Sequence, residues 1–314
     1  MTTSILITPG DACGIGPEVA LKAARFFGTK RVVCVGPPWL WRAAARKFGI
    51  SELPPTLPVS ALSNIPPQRF EFGRVSPLWG RIAVECVRAA ARACMTGEAA
   101  ALVTAPLTKA AMHAAGYHYQ GHTDLLADLT GCSRYAMMLS AGRLRVIFVT
   151  MHQALRTVPD SLTSEAIRTT IELADTACRQ LGIPHPRIAV CALNPHAGEA
   201  GAFGSEEEKV IVPAIKAAKI GSVSGPYSAD TIFLRARRGE FDIVVAMYHD
   251  QGAIPIKLVG FANGVNTTVG LPIIRTSPDH GSAYDIAGRG VADFRSMLAA
   301  LRMAARLVRR RSAL

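Results

Sequence analysis

Short apolar runs along the chain alternate with longer stretches whose apolar residues recur every three or four positions. The runs at 5–7, 31–35, 101–103, 144–149, 188–190 and 243–246 are short, rich in β-branched residues and closed by turn formers, so each predicts a buried strand. Helical periodicity falls near 17–27, 37–48, 77–96, 107–115, 163–181, 205–218, 229–237 and 291–311. Alternating strand and helix predict an α/β fold: two lobes, α/β/α, with a mostly parallel sheet. The proline-rich stretch 52–68 predicts a loop or excursion. Ser205-Glu206-Glu207-Glu208 has capping-box spacing, with acids in the first helical turn.

The chain is organised around residues 242–290. The apolar run Asp242–Met247 gives way at once to Tyr248-His249-Asp250-Gln251-Gly252, and Lys257, Asn266 and Arg275 follow. In open α/β sheets ligands bind at the carboxyl ends of strands. Two other runs end the same way, Leu144–Val149 before His152 and Ile188–Leu193 before His196. Parallel strands end on one edge, so the three imidazoles can converge. Three such nitrogens with an open position make a catalytic divalent-metal site, and Asp250 and Asp230 are near enough in sequence to support it or move protons. The plainer reading is three unrelated loop histidines.

Composition narrows the class. A chain of 314 residues, 49% hydrophobic and 18% charged, predicts a globular protein of two domains or two lobes. No apolar run is long enough to span a bilayer, and the N-terminus lacks the basic region of a signal peptide. Seven cysteines without a CxxC pair suggest reduced core thiols and a cytoplasmic setting. Of the +12 net charge, five come from Arg302, Arg306, Arg309, Arg310 and Arg311. That tail reads either as a nucleic-acid or membrane patch or as a solvated helix end whose arginines oppose the C-terminal dipole.

Three further stretches each carry two readings. Gly10-Asp11-Ala12-Cys13-Gly14-Ile15-Gly16-Pro17-Glu18 follows the first strand and opens a helix. Its glycines either let backbone approach a ligand or merely make the turn; it is not the GxGxxG fingerprint. Lys109 is an anion ligand or a surface lysine. His122 is a ligand contact or a capping neighbour, and Thr123 a ligand contact or an N-cap.

With these blocks in view the chain resembles the 4-hydroxythreonine-4-phosphate dehydrogenase (PdxA) family. They stand as GDACGIGPE (10–18), TAPLTK (104–109), GHTDLL (121–126), TMHQALR (150–156), NPHAGE (194–199), ADT (229–231), YHDQG (248–252) and GVNTTVGLPIIRTSPDHGSA (264–283). The resemblance implies a divalent metal (Zn, Mg, Mn or Co) on His152, His196 and His249. It implies substrate contacts at His122, Thr123, Lys257, Asn266 and Arg275, and a homodimer whose sites lie in an interdomain cleft and draw on both subunits. Ala12 stands where the family usually has proline. The expected lobes are 1–120 with 255–314, carrying the glycine-rich turn, and 121–254, carrying the histidines and the dimer interface. Asp250, Asp230 and Lys109 are the candidate catalytic residues.

A second resemblance is to isocitrate and isopropylmalate dehydrogenases, whose adenosine-binding loop looks like the segment His280 to Gly290. It implies cofactor contacts at His280, Gly281 and Asp285. A carboxylate at Asp285 accepts from ribose hydroxyls and repels a 2′-phosphate, which favours NAD; the alternative is that Asp285 caps the following helix. The implied reaction is NAD-linked, metal-dependent oxidative decarboxylation in pyridoxine biosynthesis, taking 4-phosphooxy-threonine to 3-amino-2-oxopropyl phosphate and carbon dioxide. The alternatives are an erythronate or threonate 4-phosphate dehydrogenase giving dihydroxyacetone phosphate, a dehydrogenase of carboxylated aromatic cis-diols, and, from another class, a basic nucleic-acid-binding protein. The first three imply a small acid as partner, with neither nucleic acid nor membrane.

Overall fold

The computed structural model describes residues 4–312. Met1–Thr3, read above for a leader, and the last two residues of the basic tail lie outside them. The described chain forms two compact units, one made of the chain up to Ser133 with the chain from Leu271, the other of Arg134–Gly270.

The first unit opens with β1 (Ile5–Thr8) and α1 (Gly16–Phe27), then β2 (Val32–Val35), α2 (Pro38–Lys47) and β3 (Thr56–Leu57). It continues with α3 (Pro77–Met95), β4 (Ala101–Thr104), α4 (Lys109–Ala114) and α5 (His122–Thr130). All four residues of β1 and of β4 are buried, which is why these runs are continuously apolar rather than alternating. Ser76 caps α3 by accepting the Trp79 N–H, and the helix buries Trp79, Ile82, Val84 and Val87 on one side.

The second unit runs β5 (Ala136–Ala141), β6 (Leu144–Phe148), α6 (Val158–Ser161), α7 (Ser164–Gln180), β7 (Ile188–Cys191) and α8 (Val212–Ala217). It ends with β8 (Val223–Tyr227), α9 (Ala229–Arg237), β9 (Ile243–Ala246), α10 (His249–Gly260) and β10 (Val265–Val269). The chain then returns to the first unit as β11 (Arg275–Pro278) and α11 (Arg295–Arg311).

In the first unit the strand order is β3-β2-β1-β4-β11, all parallel. In the second it is β10-β5-β6-β9-β7-β8. There β6, β9, β7 and β8 run parallel, while β5 pairs antiparallel with both β6 and β10. The core of the second unit gathers Leu139, Val146, Phe148, Ile232, Val244 and Ile256. α10 packs on β5 and β6, and β10 pairs with β5. These contacts carry the two crossings between units past the expected positions near 120 and 254, to Ser133 and Gly270.

Several elements differ from expectation. The stretch 52–68 contains an edge strand, β3, and a short helical turn at Ser60–Leu62. β5, β8, β10 and β11 were not marked by periodicity, and α10 was hidden by Gly252, Pro255 and Gly260, all weak helix formers. The capping box does not form. The chain at Glu207–Ile211 is a π-helical turn with no side-chain cap, and Glu206 and Glu207 serve the segment before it instead. The basic tail is the end of α11, an amphipathic helix burying Met297, Leu301, Ala304 and Val308 against β11, β4 and α1. Its last turn holds Arg309, Arg310 and Arg311, where cations oppose the helix dipole. No helix among the described residues is long and apolar enough to cross a membrane.

Candidate functional site

In the second unit, β6, β9 and β7 lie side by side and parallel, so their carboxyl ends emerge together. Side chains fix those ends. Thr150 donates its hydroxyl to the Met247 carbonyl at 2.7 Å, joining the end of β6 to that of β9. The buried Gln251 accepts the Met247 N–H at 2.6 Å and donates to the Ala192 carbonyl at 2.7 Å, joining β9 to β7. Glu207 accepts the N–H groups of Leu193 and Asn194, each at 2.8 Å, beyond β7. These bonds engage peptide groups at and beyond the strand ends, the Met247 carbonyl accepting the Thr150 N–H as well.

His152 follows β6, and His249 opens α10 after β9. Their ring centroids are 5.7 Å apart. Phe148 stacks on His249, and Asp250 accepts a hydrogen bond from His249 Nδ1 at 2.7 Å. A carboxylate accepts only, so the proton is on Nδ1 and the Nε2 lone pair is free to bind a cation. Met151, His152, Leu155, Tyr248, His249 and Asp250 line a cleft of about 500 Å³, a size that suits a small ligand. Burial first, then Cys191 and Asp250, hold the Tyr248 hydroxyl above its ordinary pKa, so it remains a donor.

His196 follows β7 on a segment where His196, Ala197, Gly198, Glu199 and Ala200 all have positive φ. Four of these are not glycine, and the left-handed region costs such residues roughly 1–2 kcal/mol each. Among the described residues, no three His, Cys, Asp or Glu side chains are gathered as a metal ion would need. The structure therefore brings His152 and His249 together and leaves His196 outside that pair. Asp230 is exposed in the first turn of α9, where its charge raises the pKa of the buried Cys191 thiol, after burial itself and Glu207. Lys257, in the last turn of α10, lies 5.8 Å over the Phe261 ring. Asn266 on β10 donates to Met137 Sδ, and its buried Oδ1 has no partner.

The first unit holds a separate constellation. Arg275 opens β11 almost fully buried and donates from Nε and Nη2 to Thr104 Oγ at 3.2 and 2.8 Å. Burial lowers its pKa, yet a guanidinium stays charged at neutral pH. His122, at the start of α5, has a buried Nε2 without a partner; burial first, and then the Arg275 charge, hold its pKa well below the ordinary value. A buried guanidinium beside an unsatisfied imidazole nitrogen is chemistry suited to an anion. Thr123 does not cap α5, which begins from Gly121 without a side-chain cap. Lys109 is exposed at the start of α4, with Gln120 at 3.5 Å.

The glycine-rich turn packs on its own chain. A Cβ on Gly10, whose φ is +61°, would meet the Pro106 carbonyl at 2.2 Å, and one on Gly14 would meet Ser282 at 2.5 Å. The glycines thus serve close packing of the turn. Asp11, fully buried, accepts the Cys13 N–H and the hydroxyls of Thr108 and Tyr284. Three loops meet on this one carboxylate.

The segment 279–292 is held at both ends. Asp279 N–H donates to Ser296 Oγ, and buried Glu18 accepts from Ala292 N–H and from Lys22, which also donates to the Gly290 carbonyl. Between these anchors, His280 Nε2 and Ser282 Oγ are buried and unpartnered, and Asp285 is exposed in a turn. α11 starts only at Arg295, so Asp285 does not cap it. Unsatisfied polar atoms on a firmly anchored loop fit a polar cofactor edge. Spacing assigns no role to Thr150, Gln251, Asp11 or Tyr284, and marks Glu207 only as an acid of a first helical turn. Each acts on a group remote in the chain, from fourteen residues for Glu207 and Leu193 to 273 for Tyr284 and Asp11, which spacing alone does not reveal.

The model of the family "Pyridoxal phosphate biosynthetic protein PdxA" matches residues 30–304. A 4-hydroxythreonine-4-phosphate dehydrogenase of Trichlorobacter lovleyi is 44% identical, over 96% of this chain and 97% of that one. A D-threonate 4-phosphate dehydrogenase of Salmonella typhimurium is 42% identical, over 98% and 99%. A crystal structure of 4-hydroxythreonine-4-phosphate dehydrogenase from Klebsiella pneumoniae superposes with a TM-score of 0.84 at 40% identity, covering 98% of this chain and all of that one. Isocitrate dehydrogenase of Methylococcus capsulatus, at 16% identity and TM-score 0.51 over 99% of this chain and 89% of that one, shares the fold. The chain therefore belongs to the PdxA family and is a dehydrogenase.

Proposed function

We propose that this dehydrogenase oxidises, with NAD, the C3 alcohol of a phosphorylated four-carbon 3-hydroxy acid, and that the resulting β-keto acid loses carbon dioxide. The observation that carries this is the histidine pair, His152 and His249, at the fixed ends of adjacent parallel strands. His196, from the next strand, would complete the ligand set. A divalent ion held there would acidify the alcohol and polarise the ketone, and NAD would accept the hydride. Asp250 fixes the His249 tautomer, and Asp230 and Lys109 are the candidates for moving protons.

Arg275, with His122 and Thr123, binds the phosphate. Lys257 and Asn266, whose Oδ1 is unsatisfied, serve the other polar groups of the substrate. The reading with 4-phosphooxy-threonine forms 3-amino-2-oxopropyl phosphate and carbon dioxide. A second reading, a threonate or erythronate 4-phosphate forming dihydroxyacetone phosphate, is supported by the Salmonella relative's name at 42% identity. His280, Gly281 and Asp285 receive the adenosine part of NAD. The free thiols, mostly buried, support a cytoplasmic setting.

The functional unit is a homodimer on this reading. α10 leaves Ile254 and Leu258 at 57% and 82% exposure, and Phe261, directly after the helix, at 62%, an apolar patch that a second copy would cover. Leu258→Glu should shift the protein towards monomer in light scattering; an unchanged mass would remove this face from the interface.

NADH formation should appear with one or both phosphorylated acids and a divalent ion, and not with a carboxylated aromatic cis-diol. His249→Ala should lose bound metal and at least a hundredfold in activity. Metal retained in full by that variant would sink the ligand assignment.

His122 gives a pH-dependent expectation. Its folded pKa is depressed, so the neutral ring belongs to the folded state. Below about pH 6.5 the unfolded chain takes up a proton that the folded chain refuses, and this contribution to stability falls as pH falls. A bound anion offsets the Arg275 charge, so inorganic phosphate should raise the His122 pKa in an NMR titration. An identical titration with and without phosphate would place the anion elsewhere.

Asp285 should favour NAD over NADP. At roughly 5 Å and an effective dielectric near 20, its repulsion of a 2′-phosphate amounts to about 3 kcal/mol. The ratio of kcat/KM for the two cofactors should fall at least tenfold in Asp285→Ser, and an unchanged ratio would take Asp285 out of the cofactor site.

A further inference from the structure

We infer that Tyr284 is a positioning residue: its hydroxyl, held on Asp11, fixes the strained turn that presents Ser282 and Asp285 to the dinucleotide. This rests on the cofactor reading proposed above. The loop fits such a ligand, because His280 Nε2 and Ser282 Oγ are buried polar atoms without partners, which a polar cofactor edge would engage. What needs a physical account is how the loop keeps that arrangement by itself.

Ala283 stands between Ser282 and Tyr284 with φ +41°, a left-handed conformation that an L-residue holds only when its surroundings over-determine it. Both of its neighbours are tied to the glycine-rich turn. On one side the Ser282 carbonyl accepts the Ile15 N–H at 2.9 Å, and a Cβ on Gly14 would meet that carbonyl oxygen at 2.5 Å. On the other side Tyr284 donates its hydroxyl to Asp11 Oδ2. The same oxygen accepts Thr108 Oγ1 at 2.6 Å, and Oδ1 accepts the Cys13 N–H at 2.9 Å, so the carboxylate is held from both ends. Asp285 follows directly, exposed, and six residues after Tyr284 the loop is tied again by Lys22 on the Gly290 carbonyl. Within the loop the turn bonds are long, 3.4 Å for Ala287 N–H on the Tyr284 carbonyl and 3.2 Å for Ile286 N–H on that of Ala283. The strain at Ala283 is therefore held from outside, by Ile15 and Asp11.

Burial first, and then Asp11, hold the Tyr284 hydroxyl above its ordinary pKa, so it stays a donor to a carboxylate that only accepts. Tyr284→Phe removes one oxygen and leaves the ring, and it leaves Asp11 its bonds to Cys13 and Thr108. The loss falls on the turn at Ala283, which is then free to leave the left-handed region. A loop that must be ordered on binding binds more weakly than one already ordered. Asp11→Ala removes the acceptor. If Asp11 reaches the cofactor through Tyr284, the two changes do not add.

Calorimetric titration with NAD and with ADP-ribose tests this in wild type, Tyr284→Phe, Asp11→Ala and the double variant, with hydrogen exchange of residues 280–292 followed with and without NAD. The expected result is an affinity for both probes at least about fivefold weaker in each single variant, with faster exchange of 280–292 in ligand-free Tyr284→Phe. The double variant should lose no more than about twofold beyond the weaker single variant. A folded Tyr284→Phe with a smaller loss than fivefold overturns the inference, and so does a double variant with a larger further loss than twofold, since Asp11 would then act by another route. If one single variant does not fold, the other decides by the fivefold criterion. Wild type that binds neither probe, or that binds NAD without slower exchange of 280–292, overturns the cofactor reading and the inference with it.

Discussion

The second unit depends on how three parallel strands are ended. A parallel ladder satisfies its peptide groups only while it lasts, and beyond the last pair each N–H and C=O needs another partner. The amide of Gln251 supplies both kinds of partner, accepting from Met247 and donating to Ala192. Thr150 and Glu207 extend the same solution to the neighbouring strand ends. Fixing the ends with short polar side chains, rather than covering them with apolar ones, keeps the edge open. His152 and His249 can then stand partly in solvent on a backbone that cannot drift.

The first unit solves a different problem, the placement of charge out of water. Arg275 and Asp11 are both buried, and each meets polar partners: Arg275 the Thr104 hydroxyl on the neighbouring strand, Asp11 the Cys13 N–H and the hydroxyls of Thr108 and Tyr284 from two other loops. Burial without full water raises the strength of whatever electrostatic contact remains. The same burial, with the Arg275 charge beside it, holds the His122 imidazole well below its ordinary pKa.

Much of this was legible in the sequence. Buried parallel strands are apolar on both faces, so β1, β2, β4, β6, β7 and β9 announce themselves as runs. The histidines after β6, β7 and β9 were visible for the same reason. What was hidden depends on pairing distant in sequence. β5 has no β-branched residue, and β10 and β11 lie inside a motif whose polar residues mask alternation. Glu207 looked like a capping acid because three glutamates follow Ser205, whereas its partners lie before the turn. Asp285 offered two readings, and the late start of α11 removed one of them.

α10 shows why its sequence looked unlike a helix. A Cβ on Gly252 would lie 2.5 Å from Val146 and 2.7 Å from Phe148, so the helix rests on β6 at a distance only glycine allows. That close approach seats His249, at the helix start, against Phe148 at 5.9 Å. Pro255 has no N–H to donate and so relieves the Gln251 carbonyl of its usual helical partner. The residues that weaken the helix are thus those that locate its functional end. Stability returns from Ile256 and Ala253, buried in the core, while the outward positions carry Ile254 and Leu258. A helix made of better formers would lie farther from β6, and His249 would move with it.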